Sequence, residues 1–176
     1  MNIRAFRWIA LLLTMILTSS PQPVWSQPAR ETLEIGAAWR FHKGGALSDI
    51  AVMPSSDWTR VDLPDAYNAK DGDDGGGYYR GAAWYRRTLS FTPSPTFART
   101  YIEFDGAAVV TDLWVNGVHV GQHRGGYARF RFDLTPYLHR GNNTLLVKTD
   151  NGASLEVAPL GGDSPSSAES IVRCGW

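Results

Sequence analysis

The sequence predicts an all-β fold, an antiparallel β-sandwich. Short runs of alternating apolar and polar residues recur along the chain, and turn-forming residues separate them. The clearest is a hairpin in which residues 112–115 run into Asn116-Gly117 and residues 118–122 return. A type I′ turn needs positive φ at both central positions, which Asn and Gly tolerate best. Helix signals are nearly absent, so we do not expect a parallel α/β sheet.

The remaining strands are predicted from the same alternation. They cover residues 35–42, 58–63, 83–91, 101–105, 130–133 and 143–148. Pro93 and Pro95 end one of them, because proline cannot donate to a sheet ladder. We expect Trp39, Trp84 and Trp114 to lie in the core, since they fall within or beside strands.

A long irregular segment, PDAYNAKDGDDGGGYYRG, occupies residues 64–81. A loop of this length in a compact domain is usually functional or disordered. Its acidic cluster, Asp71, Asp73 and Asp74, superficially resembles a calcium loop. The required bidentate Glu at the twelfth position is here Ala82, so we predict a solvated turn instead. The four histidines lack metal-site spacing, and no metal or cofactor is predicted.

Residues 1–26 are predicted to be a signal peptide. Arg4 and Arg7 provide its positive start, and residues 8–17 form an apolar run too short to span a bilayer, which disfavours a membrane anchor. Cleavage is expected before Gln27. The protein is therefore expected to be periplasmic or secreted, with no membrane association after cleavage.

Charge and cysteine content argue against a nucleic-acid partner and against a disulfide. The formal net charge is +0 and no basic stripe is visible, so nucleic acid is not an expected partner. Cys174 is the only cysteine, which excludes an intrachain disulfide.

Four segments resemble the N-terminal sugar-binding domain of glycoside hydrolase family 2, the family of β-galactosidases, β-glucuronidases and β-mannosidases. They are WYRRTLSF at 84–91, FDG at 104–106, LWVNGVHVGQHRGGYARFRFDLT at 113–135 and GNNTLLVKTDN at 141–151. The resemblance covers residues 33–163 and implies a jelly-roll fold like that of galactose-binding domains. We therefore assign residues 27–163 to one sugar-binding domain.

The resemblance also implies what the parent protein does. Full-length relatives continue into an immunoglobulin-like domain and a catalytic (β/α)₈ barrel that carries both carboxylates of retaining hydrolysis. We expect this chain to be a fragment without catalytic residues, inactive alone, from a β-galactosidase-like enzyme that hydrolyses O-glycosyl bonds.

Two other functions remain open. A free-standing carbohydrate-binding module would use an aromatic platform, for which Tyr78, Tyr79 and Tyr127 are the candidates. A structural domain would brace the barrel without touching sugar.

The resemblance points to two sugar-binding residues. In β-galactosidases an Asn after an LP-H-x-W-N segment and an Asp before F-G-G-x-Y-R reach the active site, where they help to hold a sodium ion and a galactose hydroxyl. The matching positions here are Asn68, in LPDAYNAKDG, and Asp163, in GGD. Asp65 and Tyr67 replace the usual His and Trp. The alternative for Asn68 is a turn residue that caps its own backbone.

The last residues, 164–176, read SPSSAESIVRCGW, where relatives typically continue with FTVFGGIYRSVRL. One added thymidine after the Asp163 codon, with permitted codon choices, yields the family segment in the shifted frame. We interpret the tail as a frameshift product and predict that it is disordered. The family strand would then be missing, leaving an unpaired sheet edge that favours aggregation.

Overall fold

The computed structural model describes residues 30–69, 71, 79–107, 109–152 and 169–174. Ten strands, one short helix and one 3₁₀ turn lie within these ranges. In chain order they are β1 (Arg30–Glu34), β2 (Trp39–Lys43), α1 (Leu47–Val52), the 3₁₀ turn (Ser55–Asp57), β3 (Thr59–Val61), β4 (Ala82–Phe91), β5 (Arg99–Phe104), β6 (Val110–Val115), β7 (Val118–Arg124), β8 (Phe130–Asp133), β9 (Gly141–Asp150) and β10 (Glu169–Cys174).

The strands form two sheets that pack as a β-sandwich, as predicted. The six-stranded sheet has the order β3-β2-β4-β9-β6-β7 and is antiparallel throughout. The four-stranded sheet has the order β1-β10-β5-β8. There β5 and β8 are antiparallel, but β10 runs parallel to both of its neighbours. The sandwich is therefore mostly antiparallel, as predicted, with β10 as the parallel strand among those described.

The main core lies between the sheets and follows the strand alternation. Tyr85 and Leu89 of β4 and Val147 of β9 are buried on the inner face, against Ile102 and Phe104 of β5. Each such side chain contributes about 1.5–3 kcal/mol when fully buried. Among the part of the chain that is described, no helix is long and apolar enough to cross a membrane.

A second apolar cluster covers the outer face of the six-stranded sheet. Ile50 of α1 packs there with Trp58 and Trp84, and the Trp84 indole donates to the Gly45 carbonyl at 3.1 Å. The segment lies between the predicted strands at 35–42 and 58–63, where no helix is predicted, because a six-residue helix without a side-chain cap has little intrinsic signal. Trp39 and Trp84 are buried as predicted, whereas Trp114 is only partly buried, on this outer face.

The predicted hairpin turn is confirmed. Asn116 and Gly117 both have positive φ, 51° and 83°, as a type I′ turn requires. The Asn116 amide donates to the Asn143 side-chain oxygen at 2.8 Å, and its own oxygen accepts from the Thr144 backbone N–H at 2.9 Å. The turn is therefore tied directly to β9.

The prediction of a disordered tail with an unpaired sheet edge is wrong for Glu169–Cys174. These residues form β10, which inserts between β1 and β5 and has a backbone partner on each side. The Asp105 N–H donates to the Cys174 carbonyl at 3.2 Å, and Cys174 is fully buried. Two adjacent β-branched residues, Ile171 and Val172, suit a strand, and the open slot between two strands outweighs the weak sequence signal. The other tail residues, 164–168 and 175–176, and the predicted signal peptide lie outside the described residues.

Candidate functional site

An open cavity of about 440 Å³ lies where β5 and β9 end and the loop before β8 begins. We call it the end cavity. Its wall combines the segment at residues 65–68, the turn after β5, the β7–β8 loop and the end of β9. Long-range sheet pairing brings these four stretches together, so no local pattern in the sequence marks the cavity.

Asn68 lies in the wall of the end cavity. The Tyr85 hydroxyl fixes the segment by donating to the Asp65 carboxylate at 3.0 Å. The Asn68 carbonyl closes a turn by accepting from the Asp71 N–H at 3.1 Å. Its side-chain amide makes no hydrogen bond to any residue that the structure describes. The alternative of a self-capping side chain is therefore not observed there, and the amide is available to a ligand.

Tyr67 is a site residue that sequence analysis noted only as a departure from the family Trp. Its ring lies edge-on to Tyr79, with centroids 6.2 Å apart. Its buried hydroxyl has no hydrogen-bond partner among the described residues. Burial, and then the Asp150 carboxylate, raise the pKa of Tyr67 to about 12. The Asn151 backbone amide lies near enough to oppose this rise, but it does not reach hydrogen-bond geometry. The phenol is thus a neutral, unused donor beside the cavity.

Asp71 and Asn151 anchor the chain around the site. The Asp71 carboxylate accepts from the Tyr79 backbone N–H at 2.9 Å and from Lys43 at 3.0 Å. These contacts, the backbone bond first, lower the pKa of Asp71. The Asn151 side chain donates to the Tyr79 carbonyl at 3.1 Å and accepts from the Gly81 N–H at 2.8 Å. Asp71 is thus a structural anchor rather than a merely solvated turn residue.

Of the three acidic residues in this segment, the structure describes Asp71. Asp73 and Asp74 lie outside the described residues. Within the described ranges, no group of three or more His, Cys, Asp or Glu side chains is placed to hold a metal ion.

Of the three candidate platform tyrosines, Tyr127 offers an open ring. It is fully exposed on the β7–β8 loop and lines the end cavity. Tyr79 is packed instead, and its hydroxyl donates to the Ala82 carbonyl at 2.9 Å. Tyr78 lies outside the described residues.

The carboxylates near the end cavity are already engaged. Arg129 lies 2.9 Å from the Asp105 carboxylate and 3.5 Å from that of Glu103, so the two acids share one cation. Asp65 accepts from Tyr85. Asp163 lies outside the described residues, so the structure groups Asn68 with Tyr67 and Tyr127 but does not place Asp163. A wall of neutral donors and one open ring suits binding rather than acid–base chemistry.

Comparison with known proteins agrees with this architecture. The family described as "Glycosyl hydrolases family 2, sugar binding domain" matches residues 58–156. The chain belongs to glycoside hydrolase family 2. The matched part of this family 2 domain contains the Asn68 segment, β4 to β9 and the β7–β8 loop.

The relatives include proteins named β-glucuronidase and β-galactosidase. The chain is 39% identical to a β-glucuronidase of Bacteroides fragilis over 136 residues, covering 76% of this chain and 19% of the relative. It is 36% identical to a β-galactosidase of Bacteroides ovatus over 134 residues, covering 69% and 16%.

The structural match covers about as much of the chain as the sequence matches do. A crystal structure of a Bacteroides uniformis β-glucuronidase superposes with a TM-score of 0.61 at 34% identity, covering 75% of this chain and 16% of that one. The neighbouring structures confirm a jelly-roll β-sandwich. This family 2 domain therefore spans less than a fifth of the length of these proteins.

Proposed function

We propose that this family 2 domain belongs to a retaining β-glycosidase of the β-galactosidase type and contacts the sugar through its end cavity. The observation that carries the proposal is the uncommitted side-chain amide of Asn68 in a cavity bordered by an exposed ring, Tyr127. Sugar hydroxyls take such hydrogen bonds, and the apolar face of a pyranose packs on an aromatic ring.

The proposed binding is partial. The end cavity is open and its volume, about 440 Å³, is at the small end of ligand sites. We therefore expect the domain to hold one side of a sugar that a catalytic domain holds on the other. Asp163 is proposed as a second contact, on the family resemblance alone.

Catalysis is assigned to a separate domain of the parent enzyme. Retaining hydrolysis uses two carboxyl groups about 5–5.5 Å apart, one as acid and one as nucleophile. Asp65 and Asp105, which line the end cavity, are occupied by Tyr85 and Arg129. We expect the 176-residue chain to leave nitrophenyl β-galactoside and β-glucuronide intact.

The experiment is to titrate the chain with galactose and to follow its chemical shifts by NMR. Galactose should shift the indole and amide signals weakly, with a dissociation constant in the millimolar range. Asn68→Ala should abolish the shifts. Asn142→Ala, which alters an exposed Asn of β9 away from the cavity, should leave them unchanged. Equal binding by the wild type and Asn68→Ala would disprove the assignment of Asn68.

A β-glucuronidase parent is the second candidate, because the 39% identical relative carries that name. Glucuronate differs from galactose in the configuration at C4 and by a carboxylate at C6. Arg129, which pairs with the cavity-lining Asp105, is the cation that would exchange this partner for the sugar carboxylate. Titration with glucuronate at the same pH separates the two: tighter binding than galactose, lost in Arg129→Gln, favours the glucuronide.

A free-standing carbohydrate-binding module is the alternative of another class. The fully exposed ring of Tyr127 favours it. A module would bind an oligosaccharide much more tightly than a single sugar and would lose most of that affinity in Tyr127→Ala. A binding site that another domain completes would show neither the tighter oligosaccharide binding nor its loss in Tyr127→Ala.

A further inference from the structure

A row of three arginines crosses the outer face of the six-stranded sheet. Arg40 of β2 is the register partner of Arg60 on β3 and of Arg86 on β4. Neighbouring strands lie about 4.8 Å apart, so the three side chains emerge side by side on one face. We call Arg60, Arg40 and Arg86 the arginine row.

The arginine row lacks neutralising partners in the part of the chain that the structure describes. None of the three forms an ion pair with a described carboxylate. Arg86 instead packs over the Trp58 ring, 4.3 Å from its centroid, and donates to the Ser55 hydroxyl at 3.3 Å. Burial, followed by the charge of Arg40, lowers the pKa of Arg86, which remains protonated at neutral pH. Like charges placed opposite each other destabilise a sheet, so a bound anion would relieve this repulsion.

Next to the arginine row, the same face of the sheet forms a groove lined by apolar side chains and hydroxyl groups. Leu146 of β9 is the partner of Arg86, and Trp114 of β6 is the partner of Leu146. The adjoining row pairs Thr88 with Thr144, both exposed. Helix α1 forms the wall on one side, and the volume of this open groove is about 860 Å³. We call this the outer groove.

The composition of the outer groove indicates its ligand. Arginine forks bind carboxylates and sulfates through paired hydrogen bonds. Trp114 and Leu146 offer apolar surface to sugar rings, and Thr88 and Thr144 offer hydroxyls. No carboxylate lines the groove within the described residues, and it shares no lining residue with the end cavity.

We propose that the outer groove binds an acidic oligosaccharide, with uronate carboxylates or sulfate esters on the arginine row and a sugar ring against Trp114. An acidic protein surface would satisfy the arginines equally well, but it would not need a partly exposed Trp flanked by threonine hydroxyls. This proposal stands independently of the function proposed for the end cavity.

The test is calorimetric titration of the 176-residue chain with oligogalacturonate, with a sulfated galactan and with neutral dextran. Acidic glycans should bind, more weakly at higher salt, and dextran should not. Arg40→Gln and Arg60→Gln should each weaken binding about tenfold, as expected for one charge-assisted hydrogen bond. The stronger of the two acidic glycans identifies the anionic group.

Matched controls separate a site from general charge. Arg99→Gln removes the same charge from β5 in the other sheet and should leave binding unchanged. Trp114→Phe should weaken glycan binding severalfold without affecting inorganic sulfate. Asn68→Ala should have no effect, so failure here is distinguishable from failure at the end cavity.

Three results would overturn the proposal. One is dextran binding as tightly as the acidic glycans, and another is Arg99→Gln weakening binding as much as Arg40→Gln. The third is the absence of binding to either acidic glycan at millimolar concentration. That last result would assign the arginine row to an acidic protein surface instead.

Discussion

The hydroxyl of Tyr85 donates to the carboxylate of Asp65 at 3.0 Å, which joins the buried core to the segment that carries Asn68. Tyr85 is fully buried on β4, whereas Asp65 lies in the wall of the end cavity. Burial, then the charge of Asp65, raises the pKa of Tyr85, so the phenol remains a donor at any physiological pH. The position of the Asn68 segment thus depends on a core residue.

We expect Tyr85→Phe to lower the free energy of unfolding by about 2 kcal/mol, the usual value of a hydrogen bond to a charged group. Weak sugar binding should fall as well, because the Asn68 segment loses its tether. Denaturant unfolding and NMR titration measure the two effects. Tyr137→Phe is the control, since the Tyr137 hydroxyl bonds to no residue that the structure describes. Unchanged stability in Tyr85→Phe would show that the bond contributes little.

Asp71 should make stability depend on pH. Its folded-state pKa is lowered, by the Tyr79 N–H first and then by Lys43. Its contribution is therefore complete above the ordinary Asp pKa, about 4, and is lost as pH falls through the lower folded value. Between pH 6 and pH 3, the free energy of unfolding of the wild type should fall by this contribution. Asp71→Asn should lack this part of the fall. Identical pH profiles for Asp71→Asn and the wild type would contradict the anchoring role.

Cys174 reports on β10. The thiol is fully buried and burial raises its pKa, so both access and thiolate formation are suppressed in the folded chain. We expect almost no reaction with an aromatic disulfide reagent at pH 8 until denaturant unfolds the chain. Rapid labelling under native conditions would mean that β10 leaves the sheet readily.

Export remains a prediction from the first residues. N-terminal sequencing of material secreted or recovered from the periplasm should begin at or near Gln27. Recovery of exported protein that retains Met1 would argue for an uncleaved anchor.

The frameshift hypothesis also remains a prediction. Restoring one thymidine after the Asp163 codon should reopen a frame that encodes FTVFGGIYR and a full glycosidase, whether the shift is a sequencing error or a decayed gene, and resequencing the locus checks this. A stop codon within a few residues of the restored frame would rule it out. The formation of β10 removes the unpaired edge on which the expectation of aggregation rested.

Much of the fold follows from local patterns. Alternation and turn residues predict β4 and β6 to β9 to within a few residues, because inner-face burial imposes a period of two on each strand. The turn at Asn116-Gly117 follows from backbone sterics alone. The family resemblance adds the jelly-roll topology and the position of Asn68.

The tertiary structure decided what depends on contacts between distant segments. Helix α1 exists because Ile50 packs on Trp84, and β10 exists because two strands leave a slot between them. The unused Tyr67 hydroxyl and the arginine row are visible only in three dimensions. Alternation tells which face a residue occupies, but register decides its neighbours, and register is set by pairing across the whole sheet.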